Sequence, residues 1–216
     1  MHPPDCDCPA WEYAEHPKRK VILKERSEDI ILQLYQQELD FVENAADSRP
    51  IHSYLFSLLV PREQIYYAGH YRGEDFHCLK NYYAGIEGNS SVGFPPFLVE
   101  ERMEKIAQWV REGMKALDAT HQLPDAQVSP EDKLLNTVAF ACAIFAEVLR
   151  VHPYANGNGH AARFILWSIL GKYGYWPKYF PIEPRPNHPL YIPAVGEYLK
   201  GNRQALEDYI LMCIVG

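Results

Sequence analysis

The chain has 216 residues, 47% of them apolar and 23% charged, which suits one soluble globular domain or one domain with a short appendage. Acidic residues outnumber basic ones 28 to 21, for a formal charge of −7, and this argues against a nucleic-acid partner. The N-terminus lacks the apolar core of a signal peptide, and no apolar run approaches the roughly 20 residues of a membrane span. The expected compartment is therefore the cytoplasm, without a membrane partner.

Residues 1–20 are proline-rich and polar, which predicts an irregular N-terminal arm ahead of a single domain over 21–216. The five cysteines are read as reduced thiols. Cys6 and Cys8 lie close to His2, but a lone C-x-C lacks the second ligand pair of a structural zinc site, so an arm is preferred to a metal site. A first helix is placed after Ser27 as N-cap, with Ile31, Leu34, Tyr35, Leu39 and Val42 spaced for one buried face. Residues 51–60 are almost wholly apolar and fit helix or strand. Residues 65–96 mix aromatics, glycines and short polar patches without a helical period. They predict loop with one β-hairpin, its strands near 82–86 and 92–94 and its turn at Gly88 and Asn89.

Helical spacing returns over 99–117, with Met103, Ile106, Val110 and Met114 on one face. Ser129 then caps a helix over about 130–150, with Pro130 at its first position and Asp132 in its first turn. This helix is the most apolar segment, carrying Leu134, Leu135, Val138, Ala141, Cys142, Phe145, Val148 and Leu149, so it should be central to the core. After a glycine turn comes another apolar helix, from 159 or 160 to 170. A proline-rich crossing over 176–193 leads to two last helices near 192–199 and 203–213. The fold class is all-α with a small β-hairpin.

The most informative stretch is 152–163, HPYANGNGHAAR. Backbone N–H groups of a glycine-rich turn can point at phosphate oxygens, and the first turn of the next helix adds donors and a favourable dipole. A histidine at the mouth of such a turn is suited to take a proton from an attacking hydroxyl. The pattern points to phosphoryl or nucleotidyl transfer. Read singly, His152 would more often be a capped or core histidine, and the two glycines could merely end one helix and start another. Asn158 between the glycines and Arg163 one turn on favour phosphate binding.

This stretch resembles the signature of Fic-domain proteins, H-P-F-x-[D/E]-G-N-G-R-x-x-R. His152, Pro153, Gly157, Asn158, Gly159 and Arg163 match, with Tyr154 in place of the phenylalanine. Residues 68–72 (AGHYR) are similar to an upstream element of the family, and residues 83–96 resemble its target-docking flap. The likeness covers about 50–212 and implies a Fic-type helical bundle. It also implies an adenylyltransferase that moves AMP from ATP to a Ser, Thr or Tyr hydroxyl of a protein target, releasing pyrophosphate. His152 would be the general base; Gly157, Asn158, Gly159, His160 and Arg163 would bind the nucleotide, Arg163 at the γ-phosphate. Ile86, Glu87 and Gly88 would belong to the flap, which holds the target by strand addition.

Two positions depart from that signature. Asn156 stands where the family has its Mg²⁺-binding carboxylate, and a neutral carboxamide weakens such a site. His160 stands for the first arginine and loses a fixed charge and a forked donor. A slow adenylyltransferase, a transferase with another phosphate-containing donor and a nucleotide-binding module without catalysis all follow. The retained His152 and G-N-G turn favour the first. Residues 39–44 (LDFVEN) partly match the family's inhibitory motif but lack its hydroxyl residue, so restraint by a partner protein or by a homo-oligomer stays open. Arg72 reads equally as a brace or a ligand contact.

Overall fold

The computed structural model describes Cys8, Trp11 and residues 15–86 and 89–216; side chains at 85, 86 and 89–92 are outside that description. Eight α-helices dominate these residues: α1 Arg19–Tyr35, α2 Phe41–Ala46, α3 Arg49–Phe56, α4 Pro96–Gln122, α5 Pro130–Val151, α6 Asn158–Lys172, α7 Tyr191–Leu199 and α8 Gln204–Val215. The only described sheet is a two-stranded antiparallel ribbon of β1 Ala84–Ile86 and β2 Asn89–Val92, with Ala84 opposite Val92 and Ile86 opposite Asn89. The all-α expectation with a small hairpin holds. The turn residue Gly88 and its neighbour Glu87 fall outside the described residues.

The middle of the bundle is built by α5 and α6. Ser129 caps α5 through its side chain, which accepts from the Asp132 amide, and Pro130 occupies the first turn as the sequence suggested. By length and composition α5 could cross a membrane, but it packs instead against α4, α6, α7 and α8. Val138, Ala141, Cys142, Phe145 and Val148 are all buried. Leu135 is a correction: it points outward and is 40% exposed, because it falls off the buried stripe at the outer edge of the first turns. Helix α6 is buried on every side from His160 to Gly171. A helix buried all round belongs inside a bundle, and His160 and Arg163 in this run are paired with the 176–190 crossing.

Helix α1 begins nine residues before the expected start. Ser27 is not an N-cap but a buried residue in mid-helix, 1% exposed. The expected continuous run to Val42 breaks at Gln37, which takes a left-handed conformation (φ 58°), and Asp40 restarts the chain by capping α2 with bonds from Val42 and Glu43 amides. The apolar stretch 51–60 is resolved as α3 and a turn after it.

The N-terminal region is tied at two points. Cys8 forms a disulfide with Cys78, 70 residues away, which departs from the reading of reduced thiols. Trp11 is 2% exposed, donates its indole N–H to the Leu59 carbonyl (2.9 Å), and packs edge-on to His52 and Phe56. No local spacing announces either contact.

Truncating Phe145, fully buried on α5, should cost about 3–5 kcal/mol, whereas Leu135→Ala should stay within about 0.5 kcal/mol. Urea denaturation of the two variants separates a helix buried by this stripe from one buried all round.

Candidate functional site

The stretch 152–163 joins α5 to α6. His152 is the C-cap of α5 and sits in the left-handed region (φ 56°, ψ 59°), a conformation that costs a non-glycine residue on the order of 1 kcal/mol and turns the chain sharply. Gly157 repeats that conformation at the start of α6 (φ 77°). A Cβ at Gly157 would lie 2.4 Å from the Phe56 ring, so no larger residue fits there.

The loop between these points is held from beneath. The Asn158 side chain closes it on Tyr154, its Oδ1 accepting from the Tyr154 amide (2.8 Å) and its Nδ2 donating to the Tyr154 carbonyl (2.9 Å). Tyr154 is fully buried, stacks on His52 at 3.7 Å and shares a hydrogen bond with Ser48. His52 accepts the Gly69 amide at Nδ1, which leaves Nε2–H to donate to the Asn156 carbonyl (2.9 Å). Burial pushes its pKa down to about 3, so the ring is neutral and this tautomer is locked.

Arg72 resolves the choice left open by the sequence: it is a brace. It is fully buried. Its Nε donates to the His152 carbonyl (2.8 Å), Nη1 to Tyr82 (3.0 Å), and Nη2 to Phe94 (3.0 Å) and Val151 (3.2 Å). The guanidinium thus ties both flanks of the hairpin to the end of α5. Desolvation lowers its pKa to about 10, which leaves it charged at neutral pH. The close approach requires Gly93, where a Cβ would lie 2.5 Å from the Val151 carbonyl oxygen.

Above the loop lies a cleft of about 1150 Å³, into which His152, Asn156, Gly157, Asn158, Gly159, His160 and Arg163 all open. The structure therefore brings together every residue predicted to act on the nucleotide. The amides of Asn158 and Gly159, at the first positions of α6, have no acceptor among the described residues, while those of His160 and Ala161 bond back to Gly157. Two unsatisfied donors at a helix N-terminus beside a cleft are suited to an anion. Burial, then the nearby Arg72 charge, lower the His152 pKa to about 4, against the Leu149 carbonyl, which favours the charged form. Its imidazole is neutral at pH 7 and able to accept a proton.

Arg163 and His160 behave differently from the expected pair of phosphate ligands. Arg163 is 2% exposed and donates Nε to the Ile182 carbonyl (2.9 Å), while its Nη1 end packs under Gly159 at the cleft floor. It is at once an anchor for the 176–190 crossing and a cation in the cleft. His160 is buried and bonds Glu183 through Nε2 (2.8 Å). Desolvation outweighs that carboxylate and lowers the His160 pKa to about 4, so it is a neutral donor to an ionised Glu183. Trp167 adds a bond from its indole to the Phe180 carbonyl (2.7 Å), so α6 itself fixes the crossing as the far wall of the cleft.

Sequence reasoning missed the rest of the charge. Arg19, Lys20 and Lys24 reach the cleft from α1, and Arg185 reaches it from the crossing. The first turn of α1 contains no acidic residue, and its N-cap makes no side-chain bond. Cations there oppose the helix dipole, and that misplacement is the signal in the sequence. An expected helix start at Ser27 masks it.

A Mg²⁺ ion wants hard anionic oxygens in near-octahedral array. Asn156 donates Nδ2 to the Trp11 carbonyl (2.9 Å) and accepts the Gly157 amide at Oδ1 (2.9 Å), so its carboxamide is committed at both ends. Glu183, the sole carboxylate among the described cleft residues, is held by His160 and, at 3.6 Å, by Arg19. These residues do not fit a Mg²⁺ site. Glu43, from the partial match to an inhibitory motif, pairs with Arg111 on α4 rather than with Arg163.

Replacing Arg72 by Met should leave four carbonyls short of a donor and destabilise the fold by at least about 3 kcal/mol, and Arg72→Lys should recover only part of it. Urea denaturation, with hydrogen exchange at the Phe94 amide, checks this; an unchanged midpoint in Arg72→Met would contradict the bracing role.

The Fic/DOC family model matches residues 38–170, which takes in the loop, the hairpin and helices α2 to α5 with nearly all of α6. A comparison with curated proteins finds no match.

Proposed function

Because the chain belongs to the Fic/DOC family, whose members commonly transfer nucleotide-derived groups to proteins, we propose that it is a protein adenylyltransferase using ATP. The observation that carries this reading is the pair of unsatisfied amides at Asn158 and Gly159 in the same cleft as a neutral His152. His152 takes the proton of a Ser, Thr or Tyr hydroxyl on the target protein. The oxygen attacks the α-phosphorus, the bond from that phosphorus to the bridging oxygen breaks, and pyrophosphate leaves. The α6 amides and its dipole stabilise negative charge on the transferring group, and Arg163 meets the distal phosphates. The hairpin receives the target segment by strand addition to β1 or β2.

Charge that the family draws from a metal and a first arginine is supplied here by the chain. Arg19, Lys20, Lys24 and Arg185 surround the cleft with fixed positive charge, and only Glu183 opposes them among its described lining. Acidic overall composition hides this collar. Chemistry at the donor phosphates then proceeds on side-chain and backbone donors, with Asn156 serving the loop rather than an ion.

ATP labelled at the α-phosphate should leave label on the chain or on a protein acceptor, and His152→Ala should lower that transfer by about 10²–10⁴-fold. Label from the γ-position, or full transfer by His152→Ala, would sink the assignment. The base works in its neutral form, and a folded pKa of about 4 keeps it neutral well below the ordinary 6.5. The rate should therefore change little between about pH 6 and 8, where an unperturbed imidazole would lose half its activity near 6.5. Stability moves the same way: His52, His152 and His160, all with lowered pKa values, contribute stability that is full above 6.5 and lost as pH falls toward about 3–4.

ATP affinity, read by calorimetry, should survive chelation of Mg²⁺ and fall several-fold on Lys20→Glu or Lys24→Glu, with a shallower salt dependence in each variant. Binding that vanishes with the metal, or that ignores both charge reversals, would remove the collar from the account.

A further inference from the structure

Outside the cleft, a second cluster of reactive groups joins the N-terminal region to the loop before the hairpin. Cys8 Sγ, Cys78 Sγ and a ring nitrogen of His77 all lie within 4.8 Å of one another. Cys78 is buried, Cys8 is half-buried and His77 is exposed. The two sulfurs are joined as a disulfide, a bond in which His77 has no part.

We propose that Cys8, His77 and Cys78 form a Zn²⁺ site in the thiol form of the protein, so that disulfide and metal are two alternative closures of one clasp. Thiolate and imidazole are the donors that a borderline-soft divalent ion prefers over oxygen. Zinc–sulfur bonds of about 2.3 Å and zinc–nitrogen bonds of about 2.0–2.1 Å in a tetrahedron set the donors about 3.5–3.8 Å apart. In the disulfide the two sulfurs sit closer than that, so reduction must come first and the cysteine side chains must then rotate apart, while the His77 nitrogen already lies within 4.8 Å of both. Two thiolates cancel its charge, which suits the burial of Cys78. The fourth position is left to an exchangeable ligand.

The exchange between the two closures balances. A dithiol reductant breaks the Cys8–Cys78 bond by thiol–disulfide exchange, ends as its own disulfide, and leaves two protein thiols. Zn²⁺ then displaces the two thiol protons to solvent and binds both thiolates and the lone pair of His77, with no change in oxidation state. The clasp bears on the cleft through a near neighbour in the chain. Three residues after Cys8, Trp11 packs under the motif loop and its carbonyl holds the Asn156 side chain. A metal closure keeps that support in place where a disulfide is reduced.

The test uses the full chain, reduced with a dithiol, freed of metal and desalted without oxygen. One Zn²⁺ per chain should bind in competition with a chromophoric chelator, and Co²⁺ should give a thiolate charge-transfer band. The oxidised chain should show neither. His77→Ala, an exposed position that leaves the disulfide intact, should weaken Zn²⁺ binding by at least about tenfold in the reduced chain. No zinc uptake by the reduced chain, or affinity unchanged in His77→Ala, reduces the pair to a plain disulfide and overturns the proposal. Zinc binding that persists in the Cys8→Ser, Cys78→Ser double variant also overturns it, since the ion is then held elsewhere. None of these readouts depends on nucleotide transfer.

Discussion

The loop from His152 to Asn158 runs between two helix ends of opposite polarity, and the two are treated in opposite ways. The carbonyl end of α5 carries partial negative charge and orphan acceptors. Arg72 is buried there, and its guanidinium bonds Val151 and His152 while also holding Tyr82 and Phe94. The amide end of α6 carries partial positive charge, and its first two donors are left to the cleft. One pole is neutralised inside the protein and the other is left without an acceptor among the described residues. Because the same guanidinium grips both flanks of the hairpin, its position relative to His152 is set by the bond network that fixes the imidazole's own backbone.

Much of this arrangement is legible in the order of the residues. The 3.6-residue stripes of α4 and α5, the Ser129–Pro130 start and the GNG turn are local patterns whose physics is complete within a few residues, and apart from the outward Leu135 they appear where expected. What escaped was non-local. Nothing near His52 announces that it will lock the Asn156 carbonyl 104 residues away, and nothing near Glu183 announces His160. Ser27 misled because a hydroxyl before an acidic residue imitates an N-cap, while the real start of α1 at Arg19 has no cap and an unfavourable run of cations. A helix whose local signals are poor is held by tertiary packing, here against α3 and α6.

The two departures from the family signature also read differently once placed. Asn156 and His160 looked like losses of charge. Each is instead fully committed to the scaffold: Asn156 bridges the Trp11 carbonyl and the Gly157 amide, and His160 pins Glu183. An aspartate at 156 could not donate to Trp11, and an arginine at 160 would bring a larger, permanently charged group beside Arg163 and Arg19. The substitutions therefore match partners that this chain has and that a metal-centred arrangement does not need.

In the proposed reaction, that exchange would move the electrostatic burden from a point ion at the phosphates to a ring of side chains around them. A divalent ion carries two charges at bonding distance, whereas lysines on α1 each carry one, on flexible stems and in higher dielectric. Each is worth less, so several are needed, and several are present. The stronger and better-ordered contribution comes from Arg163 and the α6 amides, which are held rigid by the Ile182 carbonyl and by the helix itself. Preorganised donors of this kind incur no reorganisation cost as charge shifts during transfer. For the proposed transfer, the collar is suited to gather and orient a polyanion, and the helix start to stabilise charge at the reacting phosphorus. On that division, charge reversals on α1 act on donor binding, while changes that displace the α6 amides act on the rate of transfer.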